Sequence, residues 1–311
     1  MKWLAVALMM MAGLQQASAP VERQEPSVQE IPGLKIESRL VPVAVNVTDA
    51  QGAAVPNLQA TDFEVYEDGA AQKMAIFERE SSTPLEIVLV VDASESTFAE
   101  TKLERDAARD FIKALVRPID RVSLFSFADD VTEVVPFTSD ARQVQSALGH
   151  LQHGEASAVY DAVYLAAQRL HDAPDPRARK VVVMITDGEN TTRHGSYNQA
   201  LEEAERSGAM IYSLIVIPVE ADAGRNTGGE HALIQMSRDT GGKYYEIAAK
   251  QDIAPAFARL SDDLRTQYTV GYYAPRKALD DAGQRRILIR LKDPALAAKY
   301  TLQYRTAYYA R

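Results

Sequence analysis

The residues best suited to chemistry follow a short apolar run near residue 90. Residues 87–91 are all aliphatic, which suits a strand buried on both faces of a parallel sheet. Directly after this run, Asp92, Ser94 and Ser96 offer one carboxylate and two hydroxyls at alternate positions. Ligands gather at the carboxyl ends of strands in open α/β sheets, and Mg²⁺ prefers oxygen ligands. The stretch therefore predicts one part of a divalent-cation site.

Two later segments place oxygen-bearing side chains at the boundaries of predicted elements, namely Ser157 before a helix pattern and Asp187 after a strand pattern. Together with Asp92, Ser94 and Ser96 they form a pattern that resembles the von Willebrand factor A domain and its metal-ion-dependent adhesion site. Ser157, in the segment Ser-Ala-Val-Tyr-Asp-Ala, takes the place of that family's loop threonine and keeps the hydroxyl. Asp187 ends the segment Val-Val-Val-Met-Ile-Thr-Asp, directly after a second apolar strand pattern. The motifs occur in the family's order, each at the strand or helix boundary that the family uses.

The resemblance implies a role for each of five residues. Ser94, Ser96 and Ser157 would coordinate the cation directly or nearly so. Asp92 and Asp187 would act mostly through water and supply negative charge. The ion would be Mg²⁺, or else Mn²⁺ or Ca²⁺, with one position open. A carboxylate from a protein partner could complete the coordination, so binding would depend on the metal.

Each of these residues also has an ordinary structural explanation. Ser94, Ser96 and Ser157 could cap the N-termini of helices, and Asp187 with Gly188 could form a tight turn. Taken singly, each residue favours the structural explanation. The coincidence of all the parts in one chain favours the metal site.

Two glutamates affect the expected ligand preference. Glu95 stands where many members of the family have glycine, and Glu189 lies two residues after Asp187. Either carboxylate could repel an acidic ligand or could itself cap the ion. These two residues bear on the choice of ligand more than on the metal.

Composition excludes several other classes of protein. The 311 residues are 46% hydrophobic, enough to build a core, and the net charge of −9 gives little support to a nucleic-acid partner. The absence of cysteine excludes disulfides, cysteine-ligated zinc and thiol catalysis. No P-loop, Gly-x-Ser-x-Gly or His-Glu-x-x-His motif is present. His150 and His153, with Glu155 nearby, lack a third zinc ligand at a telling spacing. We therefore expect a protein that is not an enzyme.

The N-terminus has the pattern of a secretory signal. Lys2 precedes an apolar core, and Ala17-Ser-Ala19 matches the small-x-small cleavage pattern. We predict a signal peptide over residues 1–19 and a secreted or periplasmic protein. Pro20 is awkward for cleavage, so an uncleaved N-terminal anchor is the alternative. Residues 20–36 are expected to be a disordered leader, and no transmembrane span is predicted after the signal.

Strand and helix patterns divide the remaining chain into a central α/β region and two β segments. Residues 84–265 alternate strands with helices, which predicts a doubly wound, mostly parallel sheet with helices on both faces. Residues 37–81 and 267–311 have strand patterns, and such a β module precedes the A domain in a group of secreted bacterial proteins that this chain resembles. Each segment alone has too few strands for stability, so we expect one small β-sandwich built from both. The strands predicted in these two segments are residues 41–47, 63–67, 73–79, 268–273, 286–292 and 300–308. Residues 220–229 are predicted to form a glycine-rich loop.

These patterns together predict an exported, monomeric binding protein. The adhesion site would bind an acidic residue of a protein partner, for adhesion or for assembly of surface complexes. The alternative is a structural envelope module whose metal site is only stabilising or vestigial. A hydrolase is a third possibility that no group of residues supports.

Overall fold

The computed structural model describes residues 39–79, 83–94, 108–109, 111–113, 116–173, 175, 178–192, 194–217, 227–275 and 283–309, which all fall within one compact unit. The predicted signal peptide and leader lie outside the described residues, as do Glu95 and Ser96. The described strands are β1 (Leu40–Thr48), β2 (Phe63–Glu67), β3 (Ala70–Gln72), β4 (Met74–Arg79), β5 (Leu85–Asp92), β6 (Arg121–Phe127), β7 (Val131–Thr138), β8 (Arg179–Thr186), β9 (Met210–Val216), β10 (Tyr244–Ile247), β11 (Tyr268–Tyr273), β12 (Gln284–Leu291), β13 (Thr301–Tyr304) and β14 (Ala307–Tyr309). The described helices are α1 (Ala141–Ala147), α2 (Val159–His171), α3 (Tyr197–Ser207), α4 (Thr227–Asp239), α5 (Lys250–Arg265) and α6 (Pro294–Lys299), with a 3₁₀ turn at Ala60–Asp62.

The central sheet has the order β10-β9-β8-β5-β6-β7, and all its neighbouring pairs are parallel except β6 with β7. Every residue of β5 is buried, because the sheet is covered on both sides. Ile87 and Leu89 face a core that also contains Phe257 of α5. Val88 and Val90 face the opposite core, which α2, α3 and α4 supply. The prediction of a doubly wound, mostly parallel sheet is confirmed.

The chain's two β segments form two antiparallel sheets. One has the order β13-β1-β11-β4 and the other β14-β12-β2-β3. β1 lies between β11 and β13, so its hydrogen-bonded neighbours both come from the end of the chain. Alternate valines of β1 share one buried core with Phe63, Tyr268 and Ile287. The predicted sandwich of N- and C-terminal strands is therefore confirmed.

The predicted strand 73–79 corresponds to β4, but the short strand β3 before it was not predicted, and the predicted strand 300–308 is wrong because it is divided between the two sheets. Asp68 and Gly69, both with positive φ, turn the chain from β2 into β3, and β4 then crosses to the other sheet. The predicted strand 300–308 divides into β13 and β14, which pair with different sheets. Chains that turn the corner between packed sheets commonly bend in this way. A period-two pattern shows which face a residue takes but does not show which sheet it joins.

Two further boundaries differ from the predictions. The short helix α6 was not predicted, although Asp293 caps it by accepting a hydrogen bond from the Ala295 N–H at 2.8 Å. The glycine-rich loop predicted to reach residue 229 is wrong at its end, because α4 already begins at Thr227. Among the described residues, no helix is long and apolar enough to cross a membrane.

A buried carboxylate joins the start of β5 to the end of α5. Asp120 is fully buried and accepts hydrogen bonds from the Leu85 N–H, the Arg117 N–H and the Arg265 guanidinium, at 2.9, 2.8 and 2.6 Å. Burial acts to raise the pKa of Asp120, but these hydrogen bonds outweigh it and hold the pKa below its ordinary value. The ionised carboxylate therefore stabilises the fold.

Replacing Asp120 by alanine should lower the free energy of unfolding by about 3–5 kcal/mol, because the change removes a buried charged acceptor from the Leu85 and Arg117 N–H groups and from the Arg265 guanidinium. The pKa is lowered in the folded state, so this stabilisation is present above the ordinary carboxyl pKa and is lost as pH falls through the lowered value. Urea unfolding at neutral and acid pH measures both effects. Asp172→Ala, at an exposed aspartate, is the control; equal losses in the two variants would contradict the prediction.

Candidate metal centre

Asp92 ends the central strand β5 and is the residue to which the other candidate ligands connect. Its carboxylate is 1% exposed. The oxygen Oδ1 accepts two hydrogen bonds from Ser94, one from the N–H at 2.9 Å and one from the hydroxyl at 2.6 Å. The chain turns sharply after β5 as a result, and the Ser94 hydroxyl is held beside the carboxylate.

The second oxygen of Asp92 contacts residues from two other loops. Oδ2 accepts a hydrogen bond from the Thr186 hydroxyl at 2.5 Å and a longer one from the Ser157 hydroxyl at 3.4 Å. All three hydroxyl residues are buried. Three of the five predicted ligands, Asp92, Ser94 and Ser157, are thus brought together; their role as cation ligands stays a prediction.

Asp187 lies at the same edge of the sheet, one residue after β8. It is 7% exposed, and its Oδ1 accepts a hydrogen bond from the Glu189 N–H at 3.0 Å. The intervening Gly188 has a φ of +83°, so the structural explanation, a tight turn, applies here. Asp187 can also contribute to a cation site, because its negative charge raises the pKa of Asp92. The fifth predicted ligand, Ser96, lies outside the described residues.

The electrostatics of Asp92 favour the arrival of a positive charge. Burial raises the pKa of Asp92 to about 6; the hydrogen bonds from Ser94 and Thr186 oppose the shift, and the charge of Asp187 adds to it. A buried carboxylate near a second carboxylate is stabilised in its charged form by a cation. With serine and threonine hydroxyls beside it, the donor set consists of hard oxygen ligands, which fit Mg²⁺, Mn²⁺ or Ca²⁺.

The loop that carries Ser157 is positioned by Asp129, in the turn between β6 and β7. The Asp129 carboxylate accepts hydrogen bonds from the N–H groups of Glu155 and Ala156 at 3.0 and 3.1 Å. Gly154 packs directly on it: a Cβ at this position would lie 2.2 Å from an Asp129 oxygen. The Gly154 N–H also donates to the Ala93 carbonyl at 3.3 Å. The loop is therefore fixed against the turn that follows β5.

A second set of contacts joins Ser157 to the loop after β8. The Ser157 N–H donates to the Thr191 hydroxyl at 2.8 Å, and the Thr191 N–H donates back to the Ser157 carbonyl at 2.9 Å. This reciprocal pair fixes the separation of the two loops. The three segments that carry the candidate ligands therefore form one connected network.

His150 and His153, which were considered as zinc ligands, contact backbone carbonyl groups. His150 Nδ1 lies 3.0 Å from the Ser146 carbonyl, and His153 Nδ1 lies 3.3 Å from the Ala93 carbonyl. Both residues follow the end of α1 and lie in a loop. Within the described part of the chain, no three histidine, aspartate or glutamate side chains are grouped as metal ligands.

Sequence reasoning missed Thr186 and Thr191. The signal for Thr186 was present, because parallel neighbours pair in register and Ile185 lies opposite Val91. The next residues, Asp92 and Thr186, must then lie side by side at the edge of the sheet. The signal for Thr191 was weaker, since its contact depends on the path of a loop.

Comparisons with known proteins agree with this architecture. A family model of the von Willebrand factor type A domain matches residues 87–189. All five predicted ligands lie within this range. Residues 87–189 therefore match a von Willebrand factor type A domain, in agreement with the resemblance that the sequence shows. No curated protein sequence matches the chain.

Solved structures of three other proteins are similar to this chain. Proximal thread matrix protein 1 from the mussel byssus, with a zinc-occupied MIDAS motif, is 18% identical over 65% of this chain and 49% of that chain, with a TM-score of 0.50. The pilus adhesin SpaC from Lactobacillus rhamnosus GG, in an open conformation, is 11% identical over 80% of this chain and 47% of that chain, with a TM-score of 0.50. The conserved hypothetical protein BatB from Bacteroides thetaiotaomicron is 19% identical over 58% of this chain and 100% of that chain, with a TM-score of 0.48. At such identities the first two share the fold alone, and this chain spans about half of each.

Proposed function

We propose that this chain is an exported, non-enzymatic binding protein that holds a divalent cation and uses it to bind a protein partner. One observation carries the proposal: hydroxyls from three separate segments converge on the buried carboxylate of Asp92. Tight turns and helix caps would explain Ser94 or Asp187 singly. They would not require Ser94, Ser157 and Thr186 to meet at one carboxylate.

In the proposed site, Asp92, Ser94, Ser96, Ser157 and Asp187 hold Mg²⁺, or else Mn²⁺ or Ca²⁺. The serine hydroxyls are neutral ligands, and only Asp92 and Asp187 supply charge. A bound cation would supply a Lewis-acidic position that accepts one more oxygen ligand. The candidate ligands described above lie at the carboxyl edge of the sheet, where ligands bind in open α/β sheets, so a partner would reach the cation from that edge.

The partner that fits such a site presents a carboxylate. In the proposed site the direct ligands are neutral hydroxyls and the two aspartates act mostly through water, so the cation would keep enough positive charge to attract an added carboxylate. Glu189 is half-buried two residues beyond Asp187, and its carboxylate would either repel an acidic ligand or itself cap the ion. Similarity to the thread matrix protein and the pilus adhesin, both of which carry this fold, is consistent with a role in adhesion.

The alternative, a structural module with a stabilising or vestigial metal site, also has an observation in its favour. Both oxygens of Asp92 already accept hydrogen bonds within the chain. A network that is satisfied internally can hold the loops together without a partner. The two proposals differ in whether the metal changes the binding of another protein.

Calorimetric titration of the full chain with Mg²⁺, Mn²⁺ and Ca²⁺ tests the proposed metal site. A pull-down from envelope extract, with and without a chelator, then tests the partner. Capture of a protein that is lost on chelation supports the binding function. Metal binding that raises the melting temperature without any metal-sensitive partner supports the structural alternative. Absence of binding at millimolar metal would remove the adhesion-site proposal.

Replacing Asp129 by alanine should weaken Mg²⁺ binding about 10–100-fold, the range found when groups that orient metal ligands are removed. The reason is that the N–H groups of Glu155 and Ala156 lose their acceptor, and the loop that carries Ser157 is released. Titration calorimetry at fixed ionic strength measures the affinity. The neighbouring exposed aspartate gives a charge-matched control, Asp130→Ala, which should keep the wild-type value.

A further inference from the structure

Thr186 is the last residue of β8 and is fully buried. Its hydroxyl lies 2.5 Å from Oδ2 of Asp92, the shortest of the contacts from Thr186, Ser94 and Ser157 to that carboxylate. The same oxygen, Oγ1, accepts a hydrogen bond from the Gly188 N–H at 3.0 Å. One hydroxyl therefore contacts both acidic segments of the candidate site.

The direction of these two hydrogen bonds is fixed by the chemistry of the groups. An N–H can only donate, so Gly188 must use a lone pair of the Thr186 oxygen. The single hydroxyl hydrogen is then left for Asp92, whose ionised carboxylate can only accept. Thr186 thus donates to the carboxylate of Asp92 while it anchors the turn that carries Asp187.

Of the two described contacts of Asp92 Oδ2, the one from Thr186 is the stronger. The Ser157 hydroxyl lies 3.4 Å away, near the limit for an O–H···O hydrogen bond, whereas the Thr186 distance is at the short end of the range for a charged acceptor. Oδ1 is held by Ser94, and the plane of a carboxylate is set by the contacts of both of its oxygens. Thr186 fixes the second oxygen and hence that plane.

We infer that Thr186 is a positioning residue of the metal site: its hydroxyl sets the orientation of the Asp92 carboxylate and, through Gly188, the position of Asp187. The residue acts through these two groups and is not itself assigned as a ligand. Gly188, with a φ of +83°, has its backbone packed against residues 229 and 230 of α4. The turn can therefore be held in one place by a single further hydrogen bond. This inference rests on the proposed function.

The test compares three forms of the full chain: wild type, Thr186→Val and Thr186→Ser. Valine keeps the shape of threonine and removes the hydroxyl, whereas serine keeps the hydroxyl and removes a methyl group. Titration calorimetry with Mg²⁺ should show affinity about 10–100-fold weaker in the valine variant and close to wild type in the serine variant. Hydrogen exchange of the Gly188 amide, followed by NMR without metal, should become faster with valine only.

The outcomes separate this inference from the proposed function. Wild type that binds no Mg²⁺ removes the proposed function, whatever the variants do. Wild type and Thr186→Val that bind Mg²⁺ equally would overturn the inference and leave the proposed function intact. Weakening by serine as much as by valine would also overturn it, because the hydroxyl would not be the cause. If the valine variant does not fold, Thr186→Ala provides the same comparison with the serine variant.

Discussion

Asp92→Asn should abolish Mg²⁺ binding and, in the metal-free protein at neutral pH, raise the free energy of unfolding. Burial raises the pKa of Asp92 from its ordinary value of 3.8 to about 6, so the ionised carboxylate is disfavoured in the folded state. A difference of this size corresponds to about 3 kcal/mol at most, at 1.36 kcal/mol for each pKa unit. The residue that would hold the cation therefore destabilises the protein without it.

Asparagine can keep the contacts of Asp92 without its charge. The side-chain oxygen can accept from the Ser94 N–H and hydroxyl in place of Oδ1. The amide group then faces the hydroxyls of Thr186 and Ser157, which can rotate to accept from it. The size of the side chain is unchanged, so no cavity is created and the network is preserved. What is lost is the negative charge that a divalent cation requires.

The difference in the free energy of unfolding between Asp92→Asn and wild type should depend on pH. A carboxyl with a raised folded-state pKa contributes stability below its unfolded pKa, and this contribution is lost as pH rises through the folded value. The advantage of Asp92→Asn over wild type should therefore be small near pH 4 and grow as pH rises through about 6. Subtraction of the two curves removes the other titrating groups, which both proteins share.

Thermal and urea unfolding in chelator, at intervals between pH 4 and pH 8, measure the difference, and calorimetry measures the metal. Asp130→Asn removes one exposed negative charge nearby and should change neither property. A metal-free Asp92→Asn protein that is less stable than wild type at pH 7.5 would contradict the account of Asp92 as a destabilising charge. Retained Mg²⁺ affinity in the same variant would separately contradict its role as a ligand.

The fold could largely be predicted because runs of apolar residues in the sequence indicate its buried strands. β5 and β9 are buried along their whole length, and β8 is buried at every residue except Lys180; long runs of apolar residues are what burial on both faces requires. The alternation of valines in β1 likewise showed one buried face. Both signals are local, and both depend on burial alone.

The parts that were not predicted depend on contacts between distant residues. The division of residues 70–79 between two sheets is set by which neighbours β3 and β4 find, namely β2 and β11. A threonine at the end of a strand does not by itself indicate a role in the site. The role of Thr186 follows only from the register of β8 against β5. The hydrogen bonds from the loop of Ser157 to Asp129 join residues that are far apart in the sequence, so no local pattern around Asp129 indicates them.

The junction between the central sheet and the sandwich is formed by buried polar side chains. Gln267 lies between α5 and β11, and its amide donates to the Tyr212 hydroxyl at 2.6 Å. Arg179 donates to the Gln267 side chain and to the Leu264 carbonyl. Asn46 of β1 donates to the same Tyr212 hydroxyl at 3.2 Å. The end of α5 is thus fixed to the central sheet before the chain enters the sandwich.

Ending the chain at Gln267 should therefore unfold residues 39–79 and leave the central sheet folded. The deletion removes β11 and β13, which are the two strands that flank β1, and β12, which pairs with β2. The remaining strands would expose the valines of β1, and so few strands are not stable in water. Gln267 is retained so that Arg179 and Tyr212 keep their partner, which confines the damage to the sandwich.

Hydrogen exchange with mass spectrometry on the shortened and full chains measures this directly. Residues 40–48 should exchange within the shortest labelling time in the shortened chain and slowly in the full chain. The strand β5 provides an internal control, because its protection comes from β6 and β8 and should persist. Slow exchange in residues 40–48 after the deletion would mean that the N-terminal strands fold without their C-terminal neighbours. The sandwich would then be an association of two independent pieces, and the pairing of β1 with β11 and β13 would not be what stabilises it.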